Sequence, residues 1–390
     1  MATTAAATRA DEARVTQTFL ELVTIDSPSF HEQAIIERLV GDLEALDLTV
    51  ENDGTGEDGI GNLIARLAGG TGLPIALSAH VDTVQPGEGI VPIVAKGVVW
   101  SEGDTILGAD DKAGVAAILE ALRVIRDNHL PHPPLEIVLT WGEERAHLGA
   151  AALDVSKLNA KVCFIPDAEG DIGTIISAAP TYISISATFN GTAAHAGMAP
   201  EEGRSAILAA ARAIERTPLG RLDRETTCNV GLLSGGTVRN AVPPQAKVEA
   251  EARSLDDARV EQVVRDLGEV WEAAAAETGC TVDIVTKREY RAYRLAEGDL
   301  GPRLVRAGAE AAGVPYRAMP TGGGSDANTL WELGLPAVCL SAGMRKPHTR
   351  EEHVATADLK KLADLLLGIC AAATHITDQT AEAPSTGVSS

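Results

Sequence analysis

Acidic and imidazole side chains follow three apolar segments of this sequence. His80 and Asp82 end the run "LPIALSAHVD". Glu143 and Glu144 follow "LEIVLTW", and Asp167 ends "KVCFIPD". Imidazole and carboxylate groups are common protein ligands of divalent cations such as zinc. The three segments therefore predict a metal site, and its chemistry would be hydrolysis by a metal-activated water.

The spacing of His80 and Asp82 assigns them different roles. Side chains two positions apart on an extended strand point to the same side. His80 is therefore predicted to bind a metal ion. Asp82 is predicted to accept a hydrogen bond from the imidazole and so fix its tautomer. The alternative is a simple surface pair at the end of a strand.

Two adjacent aspartates lie at the start of the segment "ADDKAGVAAILEAL", which otherwise has the pattern of a buried helix. Burying a carboxylate is costly unless a positive charge compensates it. A carboxylate has two oxygens, so Asp110 is predicted to bridge two cations about 3.5–4 Å apart. The alternative is a helix N-cap, a role that also suits Asp111.

Glu143 and Glu144 follow a predicted strand on a turn, where adjacent side chains diverge. One of them can bind a metal ion while the other stays free to take a proton from the activated water. A solvated acidic loop is the alternative. At the third strand end, Asp167 and Glu169 compete for the role of ligand.

The nine histidines differ as candidates. His80 follows a buried strand, whereas His195 in "GTAAHAG" and His348 in "RKPHTREEHV" lie in predicted loops. An isolated loop histidine is usually a surface residue. The remaining six are interpreted in this way: His31, His129, His132, His147, His353 and His375.

These side chains need a sheet to bring them together. Apolar runs that end in polar residues indicate buried strands of a mostly parallel α/β sheet. In open α/β sheets, ligands bind at the carboxyl ends of the strands. Two helices are predicted between residues 10 and 46, with Ser29 as an N-cap. The α/β pattern resumes after residue 296 with a helix, a glycine-rich loop, a strand and a last helix.

A smaller domain interrupts this α/β domain. From about residue 180 the pattern becomes half-exposed strands in the order β-α-β-β-α-β, which indicates an α+β (ferredoxin-like) unit. We predict the first part of the α/β domain at residues 1–179 and the inserted domain at 180–294. The second part is predicted at 295–377, followed by a disordered tail at 378–390.

Composition argues against several classes of partner. The chain has 390 residues, of which 45% are hydrophobic and 23% charged, and its formal net charge is -22. Such acidity argues against nucleic-acid and anionic-membrane partners. Five dispersed cysteines, the lack of a visible secretory signal and the lack of an apolar run of about 18 residues favour a cytoplasmic location.

In their order and content, these motifs resemble those of the M20 family of metallopeptidases, within it the peptidase T-like (tripeptide aminopeptidase-like) branch. The matching segments are "SAHVDTV", "LGADDKAG", "TWGEERAHLGA", "PDAEGDIGTI", "GTAAHAGMAPEEGRSAI", "GGTVRNAVPP", "EARSLD" and "GGGSDANTLWELGLPAVCLSAGMRKPHTREEHV". The resemblance implies a zinc-peptidase-like α/β catalytic domain with a mostly parallel central sheet. It also implies that the inserted α+β domain is a lid that mediates dimerisation.

The resemblance further implies a site for two divalent metal ions, with zinc as the first candidate and cobalt or manganese as alternatives. His80 and Asp167 would hold one ion, and Glu144 and His348 would hold the other. Asp110 would bridge the two ions, with a cis peptide bond to the next residue.

Roles in catalysis and substrate binding are implied in the same way. Glu143 would be the general base, Asp82 would orient the metal-binding histidine, and His195 would polarise the substrate carbonyl. Substrate-binding positions would be Asn240, Arg253, Gly323 and Ser325. One departure from the family pattern is Ala146, where glycine is usual, and a left-handed conformation at that position would be strained.

The implied function is hydrolysis of short peptides near a free N-terminus, by metal-activated water with Glu143 as general base. Alternatives on the same scaffold are N-acyl-amino-acid deacylase, dipeptidase and carboxypeptidase activities. A non-catalytic metal-binding protein is the alternative from another class. The expected partners are a short peptide substrate and a second copy of the chain, bound through the inserted domain.

Overall fold

A computed structural model describes residues 9–376, so the tail predicted at 378–390 lies outside the described residues. Within the described range the chain divides into two units. Unit 1 comprises residues 9–177, 295–320 and 325–376. Unit 2 comprises residues 178–294 and 321–324.

The first part of unit 1 alternates helices and strands. Its α-helices are α1 (Glu12–Val23), α2 (Gln33–Glu44), α3 (Ala109–Asp127) and α4 (Leu148–Ala152). Its strands are β1 (Leu48–Asn52), β2 (Leu63–Leu67), β3 (Ile75–His80), β4 (Val91–Ala95), β5 (Val98–Glu102), β6 (Leu135–Thr140), β7 (Cys163–Ala168) and β8 (Thr174–Ala179). Short 3-10 helices lie at Glu143–Arg145 and Val155–Lys157. The last two residues of β8 belong to unit 2.

Unit 2 follows with longer strands and two helices. Its strands are β9 (Thr181–Asn190), β10 (Gly220–Arg221), β11 (Thr226–Gly235), β12 (Gln245–Ser254), β13 (Thr281–Tyr290) and β14 (Tyr293–Arg294). Its α-helices are α5 (Ala206–Arg216) and α6 (Asp257–Glu277), and a 3-10 helix lies at Pro200–Glu202.

The chain then completes unit 1. The α-helices of this part are α7 (Leu300–Ala312), α8 (Asp326–Glu332) and α9 (Thr356–Ala373). Its strands are β15 (Arg317–Pro320), β16 (Ala337–Ser341), β17 (Met344–Arg345) and β18 (His353–Ala355).

The main sheet contains the strand order β1-β2-β6-β3-β7-β16-β8, and the short strands β14 and β15 both pair with β8. Its centre, β6-β3-β7-β16, is parallel, whereas the outer neighbours pair antiparallel. Strands β3 and β6 are buried along their whole length, which explains their continuous apolar sequences. The predicted α/β class with a mostly parallel central sheet is confirmed.

A second sheet and a layer of helices complete unit 1. The second sheet has the order β17-β18-β5-β4, and its strands are antiparallel. Helices α1, α3, α7 and α9 pack against one another. Their shared core consists mainly of leucine, isoleucine, valine and alanine, in a chain of which only 3% of the residues are aromatic.

Unit 2 is an antiparallel sheet with the order β10-β11-β12-β9-β13. Buried and partly exposed residues alternate along β9, so one face of the sheet is buried. Helices α5 and α6 pack on this sheet, and Phe189 and Trp271 are fully buried in the core. The order β11-β12-β9-β13 with two helices confirms the predicted α+β (ferredoxin-like) architecture.

The close crossing of α7 and α9 yields a stability prediction. A Cβ atom added at Gly368 would lie 2.7 Å from the Gly308 carbonyl oxygen and 2.8 Å from its Cα. Gly368→Ala should therefore force the helices apart and destabilise the protein by about 1–3 kcal/mol. Gly41, in the exposed part of α2, has no atom within 4 Å of an added Cβ.

Gly41→Ala is the matched control, because the same substitution should stabilise that helix by about 0.5–1 kcal/mol. Denaturant unfolding of both variants and the wild type measures the two effects. Equal shifts of the midpoint in the same direction would contradict the packing argument.

Candidate metal centre

The carboxyl ends of the parallel strands bring the predicted residues together. Strand β3 ends at His80, β7 carries Asp167 at its last position but one, and Glu143 and Glu144 follow β6 in a 3-10 turn. Potential ligand atoms of His80, Asp110 and Glu144 all lie within 4.8 Å of one another. The cluster therefore forms at the sheet edge that the sequence predicts.

Asp110 lies between two histidines. Its Oδ1 is 3.0 Å from His80 Nε2, and its Oδ2 is 3.1 Å from His348 Nε2. Asp167 Oδ1 is 3.5 Å from His80 Nε2, and Glu144 Oε1 is 2.9 Å from His348 Nε2. The residues thus form two groups that share one carboxylate, which is the arrangement of a bridging ligand.

This donor set fits two divalent cations. In a tetrahedral zinc site with bonds of about 2.0–2.1 Å, the ligand atoms lie about 3.3 Å apart. The separations here are 2.9 to 3.5 Å. Glu144 Oε1 is buried and has no hydrogen bond of good geometry within residues 9–376, although it faces His348 Nε2. A cation held by both atoms would compensate this buried oxygen.

Asp167 and Glu169 differ in their surroundings. Glu169 is exposed, and its Oε1 accepts a hydrogen bond from the backbone N–H of Lys346 at 3.2 Å. The side chain of Asp167 is only 6% exposed and faces His80. The geometry therefore favours Asp167 over Glu169 as a ligand.

The beginning of α3 is irregular around the two aspartates. Gly108 has a left-handed φ of 72°, Asp110 has φ -81° and ψ 105°, and the Asp110–Asp111 peptide bond is cis. The Asp110 carboxylate contacts histidines rather than the helix N-terminus. Asp111 Oδ1 instead accepts a hydrogen bond from the backbone N–H of Gly114 at 3.1 Å. That is the bond of an N-cap residue, so Asp111 has the simpler role.

Asp82 orients His80 through its backbone and the two glutamates through its side chain. His80 Nδ1 lies 2.9 Å from the Asp82 carbonyl oxygen and 3.4 Å from Asp82 Oδ1. The Asp82 carboxylate accepts hydrogen bonds from the N–H of Glu143 at 2.9 Å and of Glu144 at 3.3 Å. It also accepts one from Ser29 Oγ at 2.7 Å, so the prediction that Ser29 caps a helix is wrong.

Glu143 is buried beside the cluster but belongs to neither ligand group. Its Oε1 lies 3.4 Å from His147 Nε2, and His147 Nδ1 lies 3.0 Å from Thr329 Oγ1. His147 is only 4% exposed, so its interpretation as a surface residue is wrong. The four-residue spacing from Glu143 was its sequence signal, but such spacing is not specific.

The turn after the paired glutamates is strained. Ala146 has a φ of 67° and His147 a φ of 58°. The left-handed region costs a non-glycine residue about 1–2 kcal/mol. Ala146 replaces the glycine that is usual in the family. Glycine would adopt this left-handed conformation without strain, whereas the Cβ atom of alanine makes it unfavourable.

Burial and neighbouring charges shift the protonation equilibria of the cluster. Burial and the charge of Asp167 raise the pKa of Glu143 well above its usual range. The Asp110 and Glu144 carboxylates that face its imidazole raise the pKa of His348 to about 10. Burial lowers the pKa of His80, but hydrogen bonds to Asp110 and Asp167 outweigh it and the pKa is raised. The carboxylates thus stabilise the cationic form of both histidines. A metal ion would interact favourably with the same carboxylates.

Three of the predicted substrate-side residues lie in the long segment of unit 2, residues 178–294. His195 is exposed, and its backbone forms an isolated bridge with Ala241. Asn240 is also exposed. The Arg253 guanidinium lies 4.4 Å from the centroid of the Tyr182 ring. The roles of His195, Asn240 and Arg253 toward a substrate stay predictions.

The glycine-rich loop contributes the other two predicted residues. Gly323 is exposed, whereas Ser325 is buried. Ser325 Oγ accepts a hydrogen bond from the Ala327 N–H at 3.3 Å and caps α8. The contact of Ser325 is therefore structural, and substrate binding by either residue stays a prediction.

Comparisons with known proteins identify the family of this chain. Residues 179–279 match the family model of the M20 peptidase dimerisation domain, and residues 62–168 match the model of peptidase family M28. Aminopeptidase PepT from Bacillus cereus, for which a crystal structure is known, is 39% identical to this chain in sequence. The two structures align with a TM-score of 0.85, and the alignment covers 93% of this chain and 99% of PepT. A tripeptidase from Staphylococcus aureus is 37% identical, with a TM-score of 0.88 over 94% and 99%. The uncharacterized protein YqjE of Bacillus subtilis is 39% identical over 92% of this chain and 98% of its own.

The chain therefore belongs to the M20 family of metallopeptidases. Within this family it falls in the peptidase T-like branch, which confirms the resemblance seen in its motifs. Of the helices in residues 9–376, none has the length and apolar character needed to cross a lipid bilayer.

Metal binding is expected to release protons. Neighbouring carboxylates raise the pKa of His80 and of His348, which favours the protonated imidazoles in the metal-free protein. An imidazole must lose its proton to bind a metal. Zinc titration at pH 7 should therefore release protons, and the apparent affinity should rise with pH. Isothermal titration calorimetry in buffers of different ionisation enthalpy measures the release. A binding enthalpy that does not depend on the buffer would contradict the expectation.

Proposed function

We propose that this protein hydrolyses amide bonds of short peptides with two divalent metal ions at the cluster. The observation that carries the proposal is the position of the Asp110 carboxylate between His80 and His348. Beside it lies Glu143, a buried glutamate that is in neither ligand group. A shared carboxylate and a free base are what two-metal hydrolysis requires.

His80 and Asp167 are proposed to hold one ion and Glu144 and His348 the other, with Asp110 between them. The distances of 2.9 to 3.5 Å within the two groups support this assignment. When bound, the ions acidify a water molecule and polarise the substrate carbonyl. The mixed imidazole and carboxylate donors favour zinc, with cobalt or manganese as alternatives.

Glu143 is proposed as the general base, which takes a proton from the attacking water and passes it to the leaving amine. Its burial supports this role, because a shielded carboxyl group can hold a proton between the two steps. Asp82 keeps Glu143 in place through the hydrogen bond to its backbone N–H. His195 is proposed to stabilise the charge on the carbonyl oxygen, an assignment supported by the family resemblance.

Short peptides with a free N-terminus are the proposed substrates. The similarity to proteins named aminopeptidase and tripeptidase supports this class. N-acyl-amino-acid deacylase, dipeptidase and carboxypeptidase activities are the alternatives on the same scaffold. The match of residues 179–279 to a peptidase dimerisation domain supports a homodimer formed through unit 2.

Adjacent glutamates provide a direct test of the assigned roles. Glu143→Gln should lower kcat by a factor of about 10²–10⁴ or more while both ions stay bound. Glu144→Gln, an equally conservative change one residue away, should instead lose the ion shared with His348. Steady-state kinetics and elemental metal analysis of the two variants separate these outcomes. Nearly normal turnover by a fully metallated Glu143→Gln variant would rule out Glu143 as the base.

A substrate panel distinguishes the proposed activity from its alternatives. Tripeptides with a free N-terminus should be hydrolysed with the highest kcat/KM, and N-acetylation of the same tripeptides should abolish hydrolysis. Dipeptides and N-acyl amino acids serve as the comparison, each assayed with zinc, cobalt and manganese. Preference for N-acyl amino acids would replace the aminopeptidase assignment with a deacylase.

A further inference from the structure

One fully buried carboxylate beside the cluster is not among the predicted site residues. Glu352 is 1% exposed and accepts hydrogen bonds from three backbone N–H groups. Its Oε2 accepts from Leu107 and Gly108, both at 2.8 Å, and its Oε1 accepts from Asp110 at 3.0 Å. All three donors belong to the segment that carries the shared carboxylate of the cluster.

The segment that receives these bonds lacks a regular structure of its own. Gly108 is left-handed, and the φ and ψ angles of Asp110 are not helical. Residues 107–110 are buried, and buried backbone N–H groups need acceptors. The Glu352 carboxylate supplies an acceptor to three of them at once, so it fixes the path of the backbone up to the Asp110 Cα atom.

Glu352 also lies on the segment that carries a second ligand. Residues 346–352 connect the antiparallel strands β17 and β18, and His348 lies within this connection. Glu352 immediately precedes β18, which is held by pairing with β5. The side chain therefore joins the base of the His348 loop to the backbone of Asp110, two residues whose ligand atoms are 3.1 Å apart.

We propose that Glu352 is a positioning residue that sets the spacing between Asp110 and His348 and so determines the affinity for the ion shared by these two ligands. This inference depends on the proposed two-metal site. An amide would not replace the carboxylate, because Gln has one acceptor oxygen and an NH₂ group that would face a backbone N–H donor. Groups that orient metal ligands typically change metal affinity about 10–100-fold when they are replaced.

The test compares Glu352→Gln with Glu351→Gln. Glu351 is the adjacent residue, and its exposed carboxylate pairs only with Lys346 Nζ at 2.7 Å among the contacts described for it, so it is a matched control. Both full-length variants are stripped with a chelator and titrated with zinc against a chromophoric competitor. Glu352→Gln should weaken binding of one of the two ions about 10–100-fold. Glu351→Gln should bind both ions like the wild type.

Kinetics add a second readout that a purely structural role would not move. With Glu352→Gln, kcat should fall at limiting zinc and recover as zinc is raised, while KM for the peptide stays unchanged. Glu352→Asp keeps the charge but is one methylene shorter, so it should show an intermediate affinity. Glu352→Asp serves as the test variant if circular dichroism shows that Glu352→Gln is not folded.

The outcomes separate this inference from the proposed function. The positioning role would be overturned if Glu352→Gln bound both ions with the affinity of the wild type, and the two-metal site would remain intact. If only Glu352→Asp folds, the same criterion applies to that variant. Failure of the wild type to bind two ions would instead overturn the proposed function, and the positioning role with it.

Discussion

Compensation of buried negative charge is the constraint on which the centre of unit 1 depends. Four carboxylates gather around two imidazoles at the edge of the parallel sheet: Asp110, Glu143, Glu144 and Asp167. Isolated buried carboxylates would be expensive, since desolvation disfavours their charged form. The nearby Lys112 is buried but donates to the Ile25 carbonyl oxygen at 2.7 Å. Two divalent cations would supply the positive charge that this cluster needs.

Other carboxylates hold the segments of the proposed ligands in place. Asp82 accepts hydrogen bonds from the backbones of Glu143 and Glu144, and Glu352 does so from the segment that ends at Asp110. Glu32 is a third example, since its Oε1 accepts from the Gly142 N–H at 3.1 Å. The irregular backbones that present the ligands thus obtain their hydrogen bonds from side chains rather than from helices or strands.

The sequence predicts the sheet and the cluster better than the supporting contacts. Parallel strands buried on both faces read as continuous apolar runs, so β3, β6 and β7 could be located and their polar ends assigned to one edge. Asp110 was recognisable because two adjacent carboxylates precede an apolar helix. The contact of Glu352 with Asp110 joins residues 242 positions apart, and no local pattern encodes it. Ser29 failed for the same reason, because its partner Asp82 is 53 positions away. His147 failed because its four-residue spacing from Glu143 is not a specific signal.

The proposed ligands of the two ions are held in place by different kinds of structure. His80 and Asp167 lie on β3 and β7, whose register is fixed by the sheet. Glu144 and His348 instead come from turns with left-handed non-glycine residues: Ala146, His147, Lys346 and His348 itself. Such conformations cost about 1–2 kcal/mol each and persist only where surrounding contacts determine them. The second ligand group therefore depends on side chains such as Asp82 and Glu352, whereas the first depends on strand pairing.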